Sequence, residues 1–225
     1  MKKNILIKVF EYIVIVASIA ALVLLIFNLK PTTNHFSLET YPTMAQAIEA
    51  IKTRGIKDYS VLQLNQLLGQ TEKMMITEDE KLKVKREIIR EAGFANFDWK
   101  ETLADLTCFQ DIVITILEVK EPMLVYRRGY PDEPTSKYGL GRWWSNQSRS
   151  IEDARNELAI LANWGNPLTA EYKLKIPTGT RILEGKAAPQ EFRNPTGQVI
   201  ETRPGGGVQY FIDTVNNEWI EPTQP

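Results

Sequence analysis

The chain has 225 residues, 43% hydrophobic and 24% charged, a composition that fits globular proteins and excludes wholesale disorder. Its 27 lysines and arginines nearly balance 28 aspartates and glutamates, for a net charge of −1, so no broad basic field exists and no nucleic-acid partner is expected. One histidine and one cysteine, His35 and Cys108, exclude a structural zinc site and an intrachain disulfide, and no metal site is expected. A Ser–His–Asp or Cys–His mechanism would depend on His35 alone, five residues past a membrane-like stretch.

That stretch, Tyr12 to Leu29, is eighteen residues without a charge, against about 17 as the lower limit for a bilayer span. Lys2, Lys3 and Lys8 precede it, which places the N-terminus in the cytoplasm and the rest of the chain outside. A cleaved signal peptide is the alternative. Ala17, Ser18, Ala20 and Ala21 sit inside the run instead of after it, which favours an uncleaved anchor over residues 1–30. The expected protein is single-pass, held in the membrane through residues 12–29.

Residues 31–42 open with Pro31, stay polar and predict a linker. From 43 to 118 the spacing is helical. Thr43 precedes a run with Ala47, Ile48 and Ile51 on one face and Gly55 as a stop. Ser60 precedes a second run with Leu64, Leu67 and Leu68. Thr77 and Glu80 make a capping-box pattern before a third, striped by Leu82, Val84, Ile88 and Ile89. Asp98 and Glu101 resemble a fourth start, while the β-branched residues from Ile112 to Ile116 favour an extended end. Cys108 reads as a small core residue.

Prolines, glycines and tryptophans concentrate in 119–225. Extended stretches are expected at 123–127, 172–177, 180–187 and 208–213, with one helix over 150–165 capped by Ser150. The expected fold is α+β: an N-terminal transmembrane helix, a small helical region, then a compact mixed β domain with one main helix.

Four segments of this last region can carry chemistry. Arg127 and Arg128 close a strand, where guanidinium groups suit a phosphate or carboxylate; the alternative is two surface arginines. Gly139 to Ser145 sets Trp143 and Trp144 between Arg142 and Ser145, for stacking on a ring or for filling a core. Ile176 to Thr180 reads as a hairpin turn. Gly205, Gly206 and Gly207 are costly in backbone entropy and fit either a close approach to a ligand or a flexible loop; they deliver Gln209 to the start of a strand. No dinucleotide or P-loop glycine spacing is present.

In this order, the strand ending Tyr126-Arg127, the GLGRWWS segment to Ser145, the IPTGT turn and the PGGGVQ element at 204–209 resemble the ADP-ribosyltransferase superfamily. Within it, the nearest echo is the NAD glycohydrolases of the tuberculosis-necrotizing-toxin class. The resemblance covers 119–225 and implies that NAD or a related nucleotide is a substrate, with no resident cofactor. It implies catalytic roles for Gln209 and Arg127, with Arg128, Arg142, Trp143, Ser145, Gly205, Gly206 and Gly207 around the nucleotide. Which of Arg127 and Arg128 meets the phosphates stays open, as does which tryptophan stacks.

The chain departs from the family pattern in having no histidine after His35 and no Glu-x-Glu pair near Gln209. Glu201 is the nearest carboxylate in sequence. The expected function is a membrane-anchored NAD glycohydrolase or ADP-ribosyltransferase-like enzyme. The alternative is an inactive, membrane-anchored, extracytoplasmic protein that binds a ligand or partner.

Overall fold

In the computed structural model, which describes residues 36–97, 106–135 and 140–221, the first helices begin where their caps place them. Helix α1, Met44–Arg54, starts at Thr43, whose hydroxyl accepts the Gln46 N–H, and stops at left-handed Gly55 (φ 63°). Helices α2, Val61–Thr71, and α3, Glu78–Glu91, both open on complete capping boxes, Ser60 with Gln63 and Thr77 with Glu80. Such a cap contributes about 1 kcal/mol. The buried stripes are Ala47 and Ile51, then Leu64, Leu67 and Leu68, then Val84, Ile88 and Ile89. Ile48 and Leu82, expected on those stripes, are half-buried at their margins.

Among the described residues eight strands follow: β1 Thr115–Glu118, β2 Met123–Gly129, β3 Trp143–Ser145, β4 Ala170–Ile176, β5 Arg181–Lys186, β6 Gln190–Arg193, β7 Val199–Arg203 and β8 Val208–Phe211. Six form an antiparallel sheet in the order β1-β5-β8-β3-β2-β4, and β6 and β7 form a separate ribbon. The short helix α4, Ile151–Glu157, lies between β3 and β4.

The sheet is built from one long ribbon. β1 pairs with β5 (Ile116 opposite Leu183) and β2 with β4 (Val125 opposite Leu174). The join is bonded too, by Val119 N–H to Thr180 O at 2.9 Å and Gly179 N–H to Val119 O at 2.8 Å. Since β8 and β3 stand between β5 and β2, the ribbon folds back at this join and its halves flank the β8–β3 pair. The expected hairpin at Ile176–Thr180 is therefore corrected: β4 and β5 are not neighbours, and Gly179 (φ 87°) serves the bend.

Alternation gives the sheet two faces. Val125, Trp144, Leu174, Ile176, Ile182 and Tyr210 share the inner core with Val119. Ile116, Leu183 and Phe211 lie on the outer face, where Phe97 meets Phe211 edge-on at 5.1 Å.

Two polar side chains tie the helices to this sheet. Asn65 of α2 donates to Ile116 O at 2.9 Å and accepts the Ile116 N–H at 2.8 Å, acting as one more strand residue on the free edge of β1. Arg181 of β5 donates to Lys57 O, Tyr59 O and Ala92 O at 2.9, 2.7 and 3.2 Å. Leu38–Pro225 accordingly cluster as one compact unit.

Two further expectations change, and the extended end favoured at Ile112–Ile116 is present as β1 from Thr115. The expected fold class included a transmembrane helix; among the described residues no helix is long and apolar enough to cross a membrane. The run at 12–29, His35 and the helix start at Asp98–Glu101 lie outside the described residues. From 106 to 118 the chain forms two 3-10 turns and then β1, so the β-branched residues prevail over the helical spacing. The helix expected over 150–165 stops at Glu157, and Ala159 takes a positive φ of 53°.

Asn65→Ala leaves both Ile116 backbone groups without their partner and is expected to cost about 2 kcal/mol, read as a lower midpoint of urea unfolding. An unchanged midpoint would mean that water replaces the amide at no cost.

Candidate functional site

On the outer face, the register sets Tyr126 opposite Ser145 and Ser145 opposite Gln209, with Gly185 beyond. Gln209 is buried, and its Nε2 donates to Cys108 O at 2.7 Å. Among the described residues its Oε1 accepts no hydrogen bond, and it is not sealed off from solvent. Ser145 Oγ lies between Tyr126 O and Gln147 O, at 3.0 and 2.9 Å.

The three glycines before Gln209 form a clasp between segments. Gly205 N–H donates to Asn156 O at 2.9 Å, Gly206 N–H to Ala187 O at 2.8 Å and Gly207 N–H to Glu157 O at 2.8 Å. Gly205 (φ 69°) and Gly206 (φ 89°) are left-handed. A Cβ on Gly205 would stand 2.8 Å from the Ala188 carbonyl carbon, and one on Gly207 would stand 2.8 Å from Glu157 O. The close approach that the glycines allow is to the protein's own backbone. It also explains why α4 is short: the carbonyls of Asn156 and Glu157 turn to the clasp instead of to residues 160 and 161.

A closed circuit results. Gln147 O receives Ser145 Oγ–H and also Arg149 Nη1 at 3.2 Å. Arg149 Nη2 donates to Asn146 Oδ1 at 3.1 Å and its Nε to Glu157 Oε2 at 2.7 Å. Glu157 O holds Gly207, two residues before Gln209. The Arg149 side chain is 4% exposed and that of Glu157 is 43% exposed, so a buried cation fixes a carboxylate that still meets solvent.

The other sequence-predicted residues divide between the faces. Arg128 is outward; its Nε donates to Arg149 O and its Nη1 to Leu168 O, with Glu171 at 3.8 Å. Arg127 is inward, paired with Glu133 and donating to Trp143 O at 3.1 Å. Its guanidinium occupies the space where a Cβ on Gly141 would be. Arg142 donates to Asp213 O at 3.0 Å. Trp143 packs on Phe109 and Phe211 at 5.4 and 5.3 Å, while Trp144 is buried in the inner core.

Ser145, Gln209, the glycine clasp and, through Arg149, Arg128 thus meet. Arg127 and Arg142 lie elsewhere. Cavities of about 600 Å³ beside α1 and about 290 Å³ between Gly93, Arg181, Asp213 and Trp219 are lined by none of these predicted site residues. Sequence reasoning missed Arg149 and Glu157. The available signal was an arginine directly before the N-cap Ser150, but nothing in the spacing links it to a glutamate eight residues on.

Glu201 lies outside the circuit, on β7. It accepts Arg203 Nε at 2.8 Å and the Ala162 N–H at 2.9 Å. The Arg203 hydrogen bond, foremost, holds its carboxyl below the usual carboxylate range, which suits an ion-pair anchor better than a proton acceptor.

No family model matches the chain, and no curated protein matches it. A solved structure, that of Tne2 in complex with Tni2, is similar at a TM-score of 0.37 and 15% identity, over 48% of this chain and 86% of that one.

Gly205→Ala combines a disfavoured backbone angle with a backbone clash and is expected to lower stability by about 2 kcal/mol or more, measured by denaturant unfolding. For Glu201, a lowered folded pKa means stabilisation that is present above the unfolded carboxylate's pKa and lost as pH falls through the folded one. The stability gap between wild type and Glu201→Gln should therefore be open at neutral pH and close on acidification, as followed by thermal unfolding across pH.

Proposed function

We propose that the chain is an NAD-directed enzyme, a glycohydrolase or ADP-ribosyltransferase, that works from the outer face around Gln209. One observation supports this reading above the others: Gln209 offers a free Oε1 acceptor inside a circuit that fixes Ser145, Arg149 and Glu157.

Cleaving the nicotinamide–ribose bond develops positive charge on the sugar while a cationic leaving group becomes neutral. The step therefore needs little acid assistance, and a site acts chiefly by positioning and electrostatics. In this reading Gln209 Oε1 accepts a ribose hydroxyl, its Nε2 staying on Cys108 O. Arg128, on the same face, would meet the pyrophosphate through its Nη2, the nitrogen it does not spend on the Arg149 and Leu168 carbonyls and that faces Glu171 at 3.8 Å. Arg127, committed to Glu133 on the inner face, keeps a structural role.

A second reading is nucleotide binding without turnover, favoured by the lack of a histidine after His35 and of a Glu-x-Glu pair near Gln209; the three glycine amides, spent on internal carbonyls, take no part in either reading.

The test is NAD loss with the purified full-length chain beside Gln209→Ala. Turnover falling about 100-fold or more in the variant is expected. Equal turnover in both would remove Gln209 from the site. NAD binding by calorimetry without turnover would establish the second reading, and neither binding nor turnover would overturn both.

A further inference from the structure

On the NAD-directed reading, we infer that Glu157 is the catalytic carboxylate of this site and that Arg149 is the residue that positions it. The sequence shows no acidic pair beside Gln209, but the fold supplies a carboxylate from another segment. Glu157 O accepts the Gly207 N–H at 2.8 Å, and a Cβ on Gly207 would stand 2.9 Å from the Glu157 Cβ. Gly207 and Gln209 alternate to the same face, about 7 Å apart along the strand. The Glu157 side chain thus starts directly over the strand that carries Gln209.

Its two oxygens have different circumstances. Oε2 is held by Arg149 Nε at 2.7 Å, while Oε1 takes no hydrogen bond among the described residues, on a side chain 43% exposed. Arg149 itself is fixed by Gln147 O and Asn146 Oδ1 in a side chain only 4% exposed. One oxygen anchored to a rigid cation and the other open is the arrangement needed to aim a carboxylate at a reacting centre.

The competing carboxylates are placed otherwise. Glu133 is bound to Arg127 on the inner face, and Glu184 stands opposite Tyr210 on that same face. Glu201 is anchored on β7 by Arg203. Glu171 lies on β4, three strands from β8 in the sheet order, about 14 Å away at the usual strand spacing.

In the hydrolytic step the C1′–N bond breaks and its electron pair leaves with nicotinamide. Glu157 faces the positive charge that grows on the ribose. Water then bonds to C1′ and passes a proton to Glu157 Oε1, which releases it to solvent. The products are nicotinamide, ADP-ribose and one proton, with no further reactant required.

Glu157→Gln keeps an acceptor for Arg149 and the backbone bond to Gly207, but it leaves the buried Arg149 cation without its counter-charge, so some loss of stability accompanies the loss of charge. With the full-length protein, kcat for NAD loss should fall about 100-fold or more, with NAD affinity little changed and unfolding still cooperative at a lowered melting temperature. The acid limb of the pH–rate profile should disappear. Arg149→Lys, which cannot reach all three of its partners, should lower kcat with the acid limb retained. Turnover in Glu157→Gln close to wild type, while Gln209→Ala is inactive, would overturn the inference and leave the NAD-directed reading standing. A kcat loss with the acid limb unchanged, or a collapsed melting temperature, would reduce Glu157 to a structural anchor. Absence of NAD turnover in the wild-type chain would remove the role altogether, whether or not NAD is bound.

Discussion

Three consecutive backbone N–H groups, those of Gly205, Gly206 and Gly207, each reach a carbonyl in another segment, and much of the molecule follows from that. Only glycine can bring the backbone so close at Gly205 and Gly207. The contacts end α4, fix its last turn against the start of β8, and tie the β5 exit at Ala187 to the same point. Gln209 enters the sheet already aimed, and the segment carrying Arg149 and Glu157 has a single place to lie. The entropic cost of three glycines is offset in part by three backbone hydrogen bonds, one of which satisfies the Glu157 carbonyl at the end of α4.

The same economy recurs where the layers meet. Asn65 closes the edge of β1 with one amide, and Arg181 gathers carbonyls from two turns of the helical layer. Backbone groups that secondary structure leaves open are closed here by single side chains from sequence-distant positions.

What the sequence made legible was local. Caps at Thr43, Ser60 and Thr77 act on their own next residues, and their helices form where read. Strands β2, β4, β5 and β8 were also readable, because apolar alternation is local, whereas the exposed ribbon of β6 and β7 was not. Partner choice was not: whether the turn at Pro177–Thr180 closes a hairpin or a bend depends on β8, a strand some thirty residues further on. The site divides in the same way. Ser145 and Gln209 were named as candidates through their motifs, and strand alternation in the structure separates Arg128 from Arg127. Arg149 and Glu157 acquire meaning only through a circuit that crosses four segments.

The position of β8 has one more consequence. It stands between β5 and β3, yet among the described strands it is last in the chain. As the chain emerges from the ribosome, β5 and β3 each wait with an open edge until β8 arrives. An open edge of that kind invites pairing with other chains, so the growing molecule is most exposed to misassembly just before β8 is made. The strand that brings Gln209 is also the one that closes both edges, so the site comes into being only as the sheet becomes safe.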